Sequence, residues 1–177
     1  LADLRGDMDP EEFAQEYMCS FDSALKGAIY ADEINQVFLE ARVRKNLFDP
    51  NLPVHVIFDL GFTDSTVAIY YQRDHEGWIR IIGVVASQGQ DIFKHIEDIE
   101  KFPAQIDAIW LPPDAKAKNL QTGMSIVEQF LEHKLRPKIV PQHKIRDRLA
   151  ASRRVFPRVL FEEETTEDLI EGLKGYR

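Results

Sequence analysis

A chain of 177 residues that is 44% hydrophobic and 29% charged carries enough apolar material for one core with a small appendage, and one main domain is expected. No stretch reaches the roughly 18 uninterrupted apolar residues of a membrane helix, and Leu1-Ala2-Asp3-Leu4-Arg5 lacks a signal-peptide layout, so no membrane partner is expected. The net charge of −8 argues against a polyanionic partner on average, yet Lys134–Arg158 holds nine Lys/Arg against the single acid Asp147, leaving 13 basic and 29 acidic residues elsewhere.

A start on Leu1 suggests a piece of a longer protein, and Asp9-Pro10-Glu11-Glu12 has the cap, proline and acidic first turn of a short helix bearing Phe13 and Tyr17. The lone Cys19 allows neither an intrachain disulfide nor a cysteine zinc site, which fits a reducing cytoplasm. Ile34, Val37, Phe38 and Ala41 fall on one face of a helix predicted over Ala31–Arg44, and Asp49-Pro50-Asn51-Leu52-Pro53 ends it. Residues 1–53 therefore read as a lead-in and 54–177 as the domain proper.

Three apolar runs follow, Val54–Phe58, Thr66–Gln72 and Trp78–Ser87, the last two separated by a turn at Asp74-His75-Glu76-Gly77, so three antiparallel strands are predicted. Ile92, Ile96 and Ile99 mark a helix within Gln90–Phe102, and Ile106–Leu111 is a strand stopped by Pro112-Pro113. Ser125 and Glu128 stand at capping-box spacing before a further helix. Pro137–Val140 is a short strand, Lys144–Arg154 a basic helix, Val159–Phe161 a candidate strand and Thr165–Lys174 a helix with an acidic first turn. From Val54 to Arg154 the order is β-β-β-α-β-α-β-α: an α/β fold with a mixed sheet and helices on both faces.

Asp59 ends the first of these strands and Asp114 lies just past the fourth. On parallel neighbours both carboxylates leave the same sheet edge, where ligands of open α/β sheets collect, and hard oxygen ligands suit Mg²⁺ or Mn²⁺. Each aspartate alone reads equally well as a turn residue. For Asp64, a turn aspartate bonding its own backbone is favoured over an auxiliary ligand. The five histidines show no pair at metal spacing, and no G-x-x-x-x-G-K-[ST] phosphate loop is present. The basic stretch reads either as a solvated helix face or as a phosphate-binding surface through Lys144, Arg146, Arg148, Arg153 and Arg154. Lys116 and Lys118 add charge beside Asp114, which favours the phosphate reading.

The strand V-H-V-I-F-D-L-G-F-T-D-S-T, the strand end I-D-A-I-W-L-P-P-D-A and the pattern S-I-V-E-Q-F-L-E-H-K-L-R-P-K-I-V resemble the nuclease domain of the large terminase subunit of tailed bacteriophages. The lead-in F-A-Q-E-Y-M-C-S-F-D resembles the segment that leaves the packaging ATPase of those proteins. The resemblance implies an RNase H-like endonuclease that cuts concatemeric double-stranded DNA with two Mg²⁺ or Mn²⁺ ions. It also implies the portal and small terminase subunit as partners, and the cytoplasm of an infected bacterial host as location. Asp59 would bridge the metals and Asp114 would ligate one. The family takes a further aspartate from a C-terminal H-x-x-S-D-A segment that does not occur before Arg177, so that ligand is expected either beyond Arg177, the favoured reading, or at Glu164 or Asp168. The nuclease domain would then be truncated at its C-terminus, and this chain alone a weak nuclease.

Three alternatives stand beside it. D-L-G-F-T-D-S-T-V-A also resembles the first phosphate loop of actin-like and heat-shock-chaperone ATPases, whose second Gly-rich loop is replaced here by prolines after Ile109. A resolvase-type nuclease and a non-catalytic DNA-binding or assembly module are the others.

Overall fold

Alternation of buried and exposed side chains along Val54–Asp59 (β2) sets one face of a sheet against a core and leaves the other face half open. The computed structural model describes residues 28–61, 65–88, 92–119 and 123–177. Their strands are Val43–Arg44 (β1), β2, Ser65–Arg73 (β3), Ile79–Gln88 (β4), Ile106–Leu111 (β5), Lys138–Ile139 (β6) and Val159–Glu162 (β7). They form one sheet in the order β1-β7-β4-β3-β2-β5-β6. The β2–β3 and β3–β4 pairs are antiparallel, and β2–β5, β5–β6, β4–β7 and β1–β7 are parallel. Hairpins first and crossovers later thus build the mixed sheet that the sequence predicts.

The helices are Ala31–Leu39 (α1), Ile92–Glu100 (α2), Ile126–Glu132 (α3), Ile145–Val155 (α4) and Glu167–Gly175 (α5). Ile92, Ile96 and Ile99 of α2 and Phe130 of α3 meet Val54, Val56, Phe58, Ala68, Tyr70, Ile109 and Leu111 in a first cluster. The second lies on the opposite face, where Ile34 and Val37 of α1 and Ile170 of α5 pack with Val159 and Phe161. Helices therefore cover both faces, at different ends of the sheet. The α3 capping box is formed: Ser125 Oγ accepts from Glu128 N at 3.2 Å, and Glu128 Oε2 accepts from Ser125 N at 2.7 Å.

Helix α1 stops at Leu39, five residues short of the predicted Arg44. Ala41 takes φ 50°, Ala41 N bonds Phe38 O at 3.0 Å and Arg42 N bonds Val37 O at 2.9 Å, the paired closure of a Schellman motif. What draws the chain out of the helix is the buried Arg42, whose Nη1 donates to Phe156 O at 2.6 Å and Val159 O at 3.0 Å. Val43 and Arg44 then pair with Phe161 and Glu162, so part of the lead-in segment adds a strand to the sheet. At the same corner Ile29 N bonds Tyr176 O at 2.8 Å, and the Tyr30 and Tyr176 rings stack with centroids 5.7 Å apart. The predicted helix at Asp9–Tyr17 lies outside the described residues.

The β3–β4 turn rests on Asp74, whose carboxylate accepts from Trp78 N at 2.8 Å, Glu76 N at 3.1 Å and Arg80 Nη2 at 3.1 Å, with Gly77 supplying φ +86°. Desolvation opposes ionisation, but the Trp78 N–H and the Arg80 guanidinium outweigh it and hold the carboxyl below its ordinary value of 3.8. A depressed folded pKa gives stability that is present above the unfolded pKa and lost as pH falls through the folded one. Asp74→Ala should therefore cost about 1–2 kcal/mol near neutral pH in urea denaturation, and the gap to the parent should close in acid below 3.8. An equal gap at both pH values would refute the assignment.

Candidate active site

Asp59 closes β2, and the exposed faces of β2 and its neighbours show where it stands. Register pairs put Asp59 opposite Val67, Ile57 opposite Ile69 and His55 opposite Tyr71, all on the face away from the first cluster. On the other side of β2, Ile57 pairs with Trp110 of the parallel strand β5. Since β2 and β5 run the same way, the end of β2 at Asp59 and the turn Pro113–Lys116 that carries Asp114 lie at one edge of the sheet, on adjacent strands. The topology thus brings together the two aspartates singled out in the sequence. Both are exposed, and neither carboxylate has a hydrogen bond or ion pair among the described residues.

A strand ending on an exposed aspartate needs anchorage from the buried side, and Phe58 supplies it. Its ring meets His95 edge-on at 5.4 Å and Phe130 edge-on at 5.6 Å. His95 is fully buried and shares a 2.7 Å hydrogen bond between its Nε2 and Ser87 Oγ at the end of β4. This pair ties α2 to the sheet just behind Asp59. Its burial and its Ser87 and Phe58 contacts give His95 a structural role.

The other candidates separate. Asp64 lies outside the described residues. Lys116 and Lys118 follow Asp114 and are exposed, with Lys118 Nζ 3.6 Å from Glu128 Oε1. Helix α4 has no buried residue and carries Arg146, Arg148, Arg153 and Arg154 behind its cap Lys144. Arg153 is turned toward α1, with Nε 3.0 Å from Glu33 Oε1 and Nη2 donating to Ile29 O at 2.7 Å. Arg146, Arg148 and Arg154 are exposed and have no ion pair among the described residues. Glu164 stands apart from the aspartates: β7 pairs with β4 only as far as Phe161 opposite Ile81, three strands from β2, or about 14 Å across the sheet. Its carboxylate lies 3.9 Å from Lys45 Nζ, toward β1. Asp168 is exposed in the first turn of α5.

No group of three or more His, Cys, Asp or Glu positioned for a metal occurs among the described residues. Two carboxylates fit Mg²⁺ or Mn²⁺ nonetheless, because such ions keep several waters and take substrate phosphate oxygens beside one or two protein ligands. No helix among the described residues is long and apolar enough to cross a membrane.

One group beside the site was not picked out from the sequence. Trp110, Tyr71 and His55 share the Asp59-bearing face, with the His55 and Tyr71 rings 5.1 Å apart and Lys138 Nζ 5.3 Å from the Trp110 ring centre. Burial raises the Tyr71 pKa, against a hydrogen bond from Trp110 and the charge of Arg73. The alternation of I-D-A-I-W-L does put Trp110 on the face opposite Ile109 and Leu111, and that was the available signal.

Neither a protein-family model nor a curated protein sequence matches the chain. Solved structures do. The nuclease domain of the P22 large terminase superposes with TM-score 0.58 at 12% identity, covering 78% of this chain and 76% of that one. The large terminase from a thermophilic bacteriophage gives TM-score 0.58 at 17% identity over 85% of this chain and 36% of that one. Its complex with ATP-gamma-S gives 0.58 at 16% identity over 84% and 36%. The chain spans about a third of the thermophilic phage's large terminase and most of the P22 nuclease domain. At these identities the likeness establishes the fold: this chain has the RNase H-like mixed sheet of the large terminase nuclease domains.

Proposed function

We propose that this chain is the nuclease domain of a DNA-packaging large terminase subunit and cleaves concatemeric double-stranded DNA with divalent metal ions. The observation that carries the proposal is the placement of Asp59 and Asp114 at one edge, on the ends of adjacent parallel strands. Their exposed carboxylates are the residues to hold Mg²⁺ or Mn²⁺. The bound ions supply activation of water for attack on the phosphodiester and offset charge on the reacting phosphate.

The chain's own residues do the rest. Phe58, pinned by His95 and Phe130, keeps Asp59 at the sheet edge. Lys116 follows Asp114 and is open to a phosphate, while Lys118 exchanges its Glu128 contact for one. Arg146, Arg148 and Arg154 on α4 extend the cationic surface, and Lys144 joins them at its start. Arg153 contributes chiefly by fixing α4 to α1 through Glu33. In the parent protein the domain would follow the packaging ATPase, with the portal and small terminase subunit as partners in the host cytoplasm.

Supercoiled plasmid incubated with the complete parent protein and Mn²⁺ should be nicked, and excess chelator should stop the reaction. Plasmid that stays supercoiled with Mn²⁺ and with Mg²⁺, or nicking indifferent to chelator, would sink the proposal.

A further inference from the structure

The described residues cover the Asp59-bearing face only in part. Ile81 and Phe161 lie on that face through the pairs Tyr71 with Ile81 and Ile81 with Phe161, and the second cluster covers them with α1 and α5. Over β3, β2 and β5 the same face carries Val67, Ile69, Tyr71, Ile57 and Trp110, none of which packs into either cluster. Ile57 is 37% exposed. The chain leaving β6 must pass this part of the sheet to reach β7, and Leu149 of α4 packs into the second cluster, so α4 lies on this face too. The open area is thus a strip of sheet floored by Tyr71 and Trp110, bordered by a helix rich in arginine, and ending at Asp59. Exposed Arg73 lies at its far end, and exposed Lys138 is held over the Trp110 ring at its side.

We infer that this strip seats a single strand of nucleic acid, with unpaired bases stacked on Trp110 and Tyr71 and phosphates met by Lys138, Arg73 and the α4 arginines. Charge complementarity selects the occupant: among the described residues Lys138, Arg73, Arg146, Arg148 and Arg154 border the floor, against Asp59 and Asp114 at its end, Asp147 on α4 and Asp107, which lies 3.6 Å from His55. Aromatic rings gain from base faces, which a duplex hides and a single strand presents. The inference rests on the nuclease reading for the identity of the polyanion. It goes further in requiring local strand separation beside the aspartates.

Binding tests it without cleavage. A labelled oligothymidylate and a duplex of equal length are titrated with the 177-residue chain by fluorescence anisotropy, in chelator at fixed salt. Trp110→Leu and Tyr71→Leu should each weaken single-strand binding about tenfold and change duplex binding less than about twofold. Lys138→Glu, at an exposed position that leaves the cores intact, should weaken single-strand binding and lower its salt slope by about one. If the ring variants do not fold, Lys138→Glu decides. Unchanged single-strand affinity in the folded variants, or equal losses for duplex and single strand, would overturn the inference. So would a concentration-dependent dimer that Lys138→Glu dissolves, which would give the strip to a second copy of the chain. The two proposals fail separately: absent nicking leaves the single-strand preference standing, and a lost preference leaves nicking untouched.

Discussion

Asp59→Asn and Asp114→Asn in the complete parent protein should each lower Mn²⁺-dependent plasmid nicking by more than about a hundredfold, while in this chain the thermal midpoint stays within a few degrees of the unsubstituted one. The magnitude follows from metal sites generally, where loss of a residue that merely supports a ligand costs about 10–100-fold, so loss of a ligand costs more. The small stability change follows from exposure: neither carboxylate has a partner among the described residues, and amide replaces acid at equal volume. DNA binding in chelator should persist in both variants, because it draws on Lys116, Arg146, Arg148 and Arg154. Undiminished nicking in both would remove the aspartates from the site. Lost nicking with a collapsed thermal midpoint would make them structural instead.

Arg42→Ala should have the largest effect on stability, about 3–5 kcal/mol in urea denaturation. Arg42 is 2% exposed and donates to Phe156 O and Val159 O, carbonyls more than a hundred residues away in sequence. The Glu40 carboxylate lies 2.8 Å from its Nε but off the N–H axis, so it supplies charge without a hydrogen bond there. Alanine would strand both carbonyls in an apolar setting and leave a cavity beside Phe156. Lysine keeps the charge but cannot fork to two carbonyls from a planar group, so Arg42→Lys should recover less than half of the loss. A penalty under about 1 kcal/mol for Arg42→Ala would mean that water or relaxed backbone replaces those bonds.

Sequence reading succeeded where a periodic signal met a topological rule. Two hairpins make β4 parallel to β2, and a helical crossover from β4 keeps β5 parallel to both, so Asp59 and Asp114 share an edge if β5 lies beside β2, and the pairing of β2 with β5 meets that condition. It fell short where long-range partners decide local structure. The end of α1 has no glycine to announce it, since Ala41 carries the left-handed turn, and the force that ends the helix comes from carbonyls near residue 159. Strand β1 is two residues long, too short for any alternation to show. Arg153 looked equivalent to Arg154 in the sequence, and only Glu33 and Ile29 distinguish them. The aromatic strip is spread over β2, β3, β5 and β6, so no single stretch displays it.

The corner where Ile29 meets Tyr176 has a mechanical consequence. Ala28 and Arg177 flank one hydrogen bond, so tension applied between these two residues loads that corner alone. The sheet edge bearing the aspartates is outside that force path and keeps its shape while the corner takes the strain. The same proximity makes the domain permutable: a short linker joining Ala28 to Tyr176, with new ends opened in the Asp74–Trp78 turn, should leave every strand pair intact.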